Sequence, residues 1–171
     1  TFTGVSASYN KGDGAVIQST GPVVIKNSVF SGNQTGDSTK GYGLYIDPAT
    51  KGSVTLDNVV LTNNSNHGAF ISTSGNVILK NVSASLNDKG IMIAATTTEG
   101  SGAGALNVSV LNGVFHDNRE TSFWVEAKGT ITLTNIFSSS PGEYGLYLDN
   151  TFAAAAPGVT LKNITLLSNG V

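Results

Sequence analysis

One phrase is repeated along the whole chain. PVVIKNSVFSGN, SVTLDNVVLTNN, NVILKNVSASLN, NVSVLNGVFHDN, TITLTNIFSSSP and GVTLKNITLLSN align without a gap, and TFTGVSASYN at the start is the same phrase lacking its first residues. A first marker column runs Gly4, Asn27, Asn58, Asn81, Asn112, Asn135, Asn163, in steps of 23, 31, 23, 31, 23 and 28 residues. Six positions later stands a second column: Asn10, Asn33, Asn64, Asn87, Asn118, Pro141 and Asn169. A third run keeps the same phase: GAVI (14–17), GLYI (43–46), GAFI (68–71), GIMI (90–93), SFWV (122–125) and GLYL (145–148). Self-similarity at such a period means stacked units, each too small to bury its apolar face alone.

Within a unit the period is two. The residues four and two before the marker are aliphatic, as in Val54/Leu56, Ile131/Leu133 and Val159/Leu161, with Thr, Lys or Asp between and after them. Such alternation is a half-buried strand. Val59/Leu61, Val82/Ala84 and Ile164/Leu166 continue it after the marker, and Leu44/Ile46, Ile91/Ile93 and Phe123/Val125 repeat it in the third run. No window sustains a 3.6 period with helix caps, so almost no helix is predicted. Three short strands per coil, stacked in parallel over about six to seven coils, bury a continuous core. Residues 1–171 are expected to form a single domain of this kind, as a segment of a longer array.

These features resemble the right-handed parallel β-helix of the pectin-lyase-like superfamily over the entire chain. The resemblance implies an all-β solenoid with three sheets: GLYI-type runs in the first, VTLKN-type runs in the second, and the residues after the marker in the third. Handedness comes from the resemblance and from crossover chirality in general. The family's asparagine ladder at the second bend matches Asn27, Asn58, Asn81, Asn112, Asn135 and Asn163. Asn tolerates the left-handed backbone of a sharp bend, and stacked amides can bond from coil to coil. The ladder amides are expected to be buried, so that Asn81 matters more to stability than a surface residue such as Asn150.

Composition narrows the function classes. A net charge of −2 with 12% charged residues, and Arg119 as the only arginine, does not suggest nucleic acid or an acidic membrane surface. Cysteine is absent, which excludes disulfides and thiolate metal sites. No apolar stretch reaches spanning length, and a soluble segment is expected. High Gly, Ser, Thr and Asn with few charges fits an extracellular or cell-surface β-repeat protein.

Chemistry is sparse. The resemblance implies acidic calcium ligands with a basic residue, or an aspartate cluster, on the first sheet, and neither pattern is present. No catalytic residue is assigned; the one carboxylate constellation is Glu126 and Asp149, expected to point outward on adjacent coils, with Asp47 in the same phase three coils earlier. Such a pair can share a proton, act in hydrolysis or bind calcium; the alternative is two solvated acids. No cofactor or metal is expected, and His67 and His116 are read as surface or bend residues.

The middle residue of the third run is more informative. Val16, Tyr45, Phe70, Met92, Trp124 and Tyr147 form a column that alternation sends outward, and monomers rarely expose a contiguous apolar patch without a partner. An outward Trp124 is expected to contribute little to the core. The enlarged bends Gln34–Tyr42, Asp47–Ser53, Ala94–Asn107 and Asp149–Gly158 are expected on the surface, the last three raising one edge of this band into a trough. Three readings stay open: an adhesin- or filament-like structural segment meeting itself (end to end or laterally) or another surface protein, a carbohydrate-binding module, and a polysaccharide lyase or hydrolase using Glu126 and Asp149.

Overall fold

A computed structural model describes residues 1–36, 39–47, 50–94, 107–151, 157–168 and 170. The first coil contains β1 (Phe2–Thr3), β2 (Ser6–Ser8) and β3 (Ala15–Ile17). Long and short strands then alternate: β4 (Val23–Ser31), β5 (Leu44–Ile46), β6 (Val54–Thr62), β7 (Ala69–Ser72), β8 (Val77–Ser85), β9 (Ile91–Ala94), β10 (Val108–His116), β11 (Phe123–Glu126), β12 (Ile131–Ser139), β13 (Leu146–Asp149) and β14 (Val159–Leu167). Each pairs in parallel with the equivalent strand of the next coil. The long strands form one sheet in the order β1-β4-β6-β8-β10-β12-β14, with β2 also on β4, and the short strands form a second, β3 to β13. The repeat register is the pairing register: Val23, Val54, Val77, Val108, Ile131 and Val159 are successive partners.

The fold is the expected all-β solenoid, with one difference in sheet count. The second and third runs are one continuous strand creased at the marker. Asn27, Asn58, Asn81, Asn112, Asn135 and Asn163 all have φ between 49° and 59°, and Gly4 has 67°. The crease turns one hydrogen-bonded sheet into two faces, so the cross-section keeps three sides.

A left-handed residue also resets the alternation, and this corrects the burial expected for the ladder. The residues two before and one after the marker point inward, as Leu56 and Val59 do, while the marker itself is exposed. The marker amides bond outside: Asn58 Nδ2 donates to Asn27 Oδ1 at 2.9 Å, Asn112 to Asn81 at 2.8 Å, Asn135 to Asn112 at 2.9 Å and Asn163 to Asn135 at 2.9 Å. Asn81 Nδ2 donates to Asp57 Oδ1 at 3.3 Å.

The buried ladder is the second column. Five residues after the marker the chain is left-handed again, at Tyr9, Gly32, Asn63, Leu86, Asp117, Ser140 and Ser168. This second reset swings the following Asn inward. Asn64 Oδ1 accepts the backbone N–H of Asn33 at 3.2 Å and its Nδ2 at 2.9 Å. Asn64 repeats both bonds onto Asn87 Oδ1, at 3.1 and 2.9 Å, and also donates to the carbonyl of Phe30 at 3.2 Å. Asn10 onto Asn33 and Asn87 onto Asn118 follow the same scheme. Pro141 ends the relay, and there Asn118 Nδ2 turns to the Oγ of Ser122, 3.4 Å away. Ser122 stands in the column held by Gly14, Gly43, Gly68 and Gly90 in earlier coils. At Gly68 an added Cβ would lie 2.6 Å from the carbonyl of Gly90 and 2.9 Å from Asn87 Nδ2, so the ladder leaves no room for a side chain there.

The core lies between the sheets, in columns such as Ile25-Leu56-Leu79-Val110-Leu133 and Leu44-Ala69-Ile91-Phe123, all buried. Phe115 and Phe123 stack across it with centroids 4.9 Å apart. Gly113 makes space for them, since a Cβ there would fall 2.8 Å from the Phe115 ring.

The two Asn columns therefore predict different costs. Asn64→Ala orphans two donors on Asn33 and the Phe30 carbonyl and is expected to cost about 2–4 kcal/mol. Asn81→Gly, which keeps the left-handed turn and loses only exposed bonds, is expected to cost less than about 1 kcal/mol. Urea unfolding midpoints of the two variants check the ranking, and equal midpoints would contradict it.

Candidate functional site

The outer face of the short-strand sheet carries the candidate site. Val16, Tyr45, Phe70, Met92, Trp124 and Tyr147 are successive Cα partners in the ladder of strands. Their flanking residues Leu44/Ile46, Ala69/Ile71, Ile91/Ile93 and Phe123/Val125 are buried. The column therefore faces away from the core. Val16 is 58% exposed, and the five larger residues are half-buried.

Four of the five are aromatic and stack in pairs. The rings of Trp124 and Tyr147 are 3.8 Å apart between centroids and 21° from parallel. Those of Tyr45 and Phe70 are 5.3 Å apart and 11° from parallel. Coplanar rings lying side by side need more than about 6 Å between centroids to avoid overlap. Both pairs are therefore face to face along the solenoid axis, with edges turned outward, and the column is a ridge. Tyr42 and His67, one turn earlier in their coils, pack against its first half, with Tyr42 edge-on to Tyr45 at 5.1 Å and to His67 at 5.2 Å. Tyr144 packs at 6.0 Å against Tyr147 in the second half.

The carboxylates flank this ridge. Glu126 and Asp149 are register partners on β11 and β13, and both are half-buried. Each has a partner within the chain. Glu126 Oε1 accepts the indole N–H of Trp124 at 3.1 Å. Asp149 Oδ1 accepts the backbone N–H and the hydroxyl of Thr151, at 2.8 and 2.7 Å, and those bonds hold its carboxyl below the usual range. Asp47 follows β5, three coils from Glu126, and does not join them. Among the described residues no group of three or more His, Cys, Asp or Glu is placed to hold a metal ion.

A family model described as right handed beta helix region matches residues 1–169. The chain is a right-handed β-helix protein. Neither the comparison with curated proteins nor that with solved structures gave a match. Of the enlarged bends in this β-helix, 37–38, 48–49, 95–106 and 152–156 lie outside the described residues, and the expected trough edge rests largely on the last three.

Two features of the β-helix escaped the sequence reading. His116, the last residue of β10, is half-exposed beside Asp117, its Nδ1 2.9 Å from Asp117 Oδ2. His67 instead is buried against Tyr42 and Phe70, with Nδ1 lacking a hydrogen-bond partner. Burial, and then the charge of Lys89, push its pKa down to about 4, with Glu120 pulling the other way. Lys89 and Glu120 form an ion pair at 2.5 Å in the neighbouring coils. Arg119 is exposed in the bend after β10 and pairs with Asp88. The second feature is a depression at the start of the ridge, lined by Asp13, Val16, Thr39, Lys40, Tyr42 and Tyr45.

Two measurements follow from this geometry. Trp124 gives up a stack and a hydrogen bond when removed, more than an outward side chain without partners. Trp124→Ala is expected to cost about 1–2 kcal/mol, against about 3–5 kcal/mol for buried Phe123→Ala, both read from denaturation midpoints. For His67 the folded pKa lies below the unfolded one, so stability is fully present above pH 6.5 and falls as the pH drops towards 4. The Glu120 carboxyl is held low, chiefly by its bond to Lys89, so its own loss begins only below its ordinary value of 4.5. Between those limits the wild type is expected to lose about 2 kcal/mol that His67→Gln does not lose, measured by urea unfolding across the pH range.

Proposed function

We propose that this β-helix is a structural segment of a secreted or cell-surface protein, adhesin- or filament-like, whose aromatic ridge contacts another protein. The observation that carries this reading is the ring geometry. Stacked rings present edges and half-buried apolar flanks, which suit insertion between the side chains of a protein surface. A flat sugar-binding platform along the ridge is supported less well, because the faces within each pair are spent on each other. The lyase or hydrolase reading has little support, since Glu126 and Asp149 are held by Trp124 and Thr151. The Gly-, Ser-, Thr- and Asn-rich composition without cysteine supports placement outside the cell.

A second copy of the chain, meeting the first laterally, is the partner assigned here. Sedimentation velocity over a concentration series is expected to show assembly by the wild type. Trp124→Glu, folded by circular dichroism, is expected to weaken it at least tenfold, whereas Lys80→Glu on the long-strand sheet leaves it unchanged. A wild type that stays monomeric throughout, or assembly unaffected by Trp124→Glu, overturns the reading.

A further inference from the structure

The two stacked pairs of the ridge are separated by one residue of a different kind. Along the outward column the register runs Tyr45, Phe70, Met92, Trp124, Tyr147. Tyr45 stacks on Phe70 and Trp124 on Tyr147, so Met92 is the link between the pairs. It is the only methionine in the chain, and with cysteine absent its thioether is the only sulfur. Ile91 and Ile93 on either side of it are fully buried, which turns Met92 to the outer face, where it is half-buried.

A thioether in such a place is open to peroxide. Sδ attacks one peroxide oxygen, and an S–O bond forms as the O–O bond breaks. The departing hydroxide takes the proton of the transferred hydroxyl and leaves as water. Sulfur gives up two electrons, the peroxide is reduced, and a flexible apolar side chain becomes polar. A thiol-dependent sulfoxide reductase reverses the step, taking two electrons and two protons from a dithiol and releasing the oxygen as water. Position decides the consequence. The two partners of Met92 in the column offer the new oxygen no free donor: Phe70 has none, and the indole N–H of Trp124 is given to Glu126 Oε1 at 3.1 Å. The sulfoxide oxygen therefore takes its hydrogen bonds from water. A partner closing on the ridge has to strip that water at the middle of the apolar band, where a buried acceptor without a donor is costly. The fold is spared, because Met92 stands outside the core columns.

We propose that Met92 is a reversible oxidation site that switches the ridge. As the thioether it joins the two aromatic pairs into one apolar band; as the sulfoxide formed by a peroxide it divides them and releases the partner. This rests on the reading of the ridge as the contact with a second copy of the chain.

The test treats the intact chain with hydrogen peroxide, locates the added oxygen by peptide mass spectrometry, and compares self-association before and after by sedimentation velocity. Wild type is expected to gain one oxygen, at Met92, and to associate at least tenfold more weakly, with its circular dichroism unchanged. Methionine sulfoxide reductase with dithiothreitol is expected to restore the association. Met92→Leu has no sulfur, and whatever its own starting affinity, the values before and after peroxide are expected to agree within about twofold. Met92→Gln, which carries an amide at the same place, is expected to associate weakly without peroxide. A wild type that never associates overturns the reading of the ridge and this switch together. With an associating wild type, three results overturn the switch alone: Met92 left unoxidised by peroxide that oxidises free methionine, association unchanged by the sulfoxide, or Met92→Leu as sensitive to peroxide as wild type.

Discussion

The inward Asn column is the interaction on which the rest of the structure depends. Each coil must turn sharply after its long strand, and the polar backbone of that turn is carried into an apolar interior where unpaired groups are costly. An asparagine amide meets the demand because it both donates and accepts. The oxygen of Asn64 takes two donors from the coil before, and its nitrogen serves the coil after and the carbonyl of Phe30. The scheme works only if coils are in register. The amide relay, the small residues at Gly43, Gly68 and Gly90, and the strand pairing are thus one constraint seen from three sides. The coil that breaks one part breaks another: where Pro141 supplies no amide, Ser122 supplies a hydroxyl.

The functional face is a by-product of the same register. Parallel, in-phase pairing puts like positions on top of one another about 4.8 Å apart, close to the thickness of an aromatic ring plus its contact distance. Large residues in one outward column must therefore stack, and Tyr45 on Phe70 and Trp124 on Tyr147 do so. A ring in the body of such a column has no open face. Among the described residues the exceptions are at the ends of the column: Tyr45, beside the smaller Val16, and Tyr147, on the edge strand β13.

Much of this was legible in the residues. The repeat gave the strands, the coil register and the outward column, because a period of two combined with a fixed coil length leaves no freedom in any of them. It did not give the burial of the two Asn columns. Both are Asn and both are in phase, and the alternation that reads strands so well is reset at every left-handed residue. At the marker that residue is Asn, which the sequence advertises. At the second bend it is Gly32, Asn63 or Asp117 in some coils but Tyr9, Leu86, Ser140 or Ser168 in others, so no residue type marks the position along the chain, and in the latter coils the stacking imposes the conformation. His67 and the Asp13 depression were hidden for a related reason. Both are made by neighbours 23 to 31 residues away, where the sequence offers no local pattern.

Every strand bond runs from one coil to the next, parallel to the long axis, and so do both amide columns. The molecule is therefore mechanically anisotropic. A force along the axis loads all the bonds between two coils in tension at once, and they resist together. A force that lifts one terminal strand, such as β14, loads them one at a time and peels the coil away like tape. Any attachment that pulls through a broad face of the solenoid is held firmly, and one that pulls through a single chain end is not.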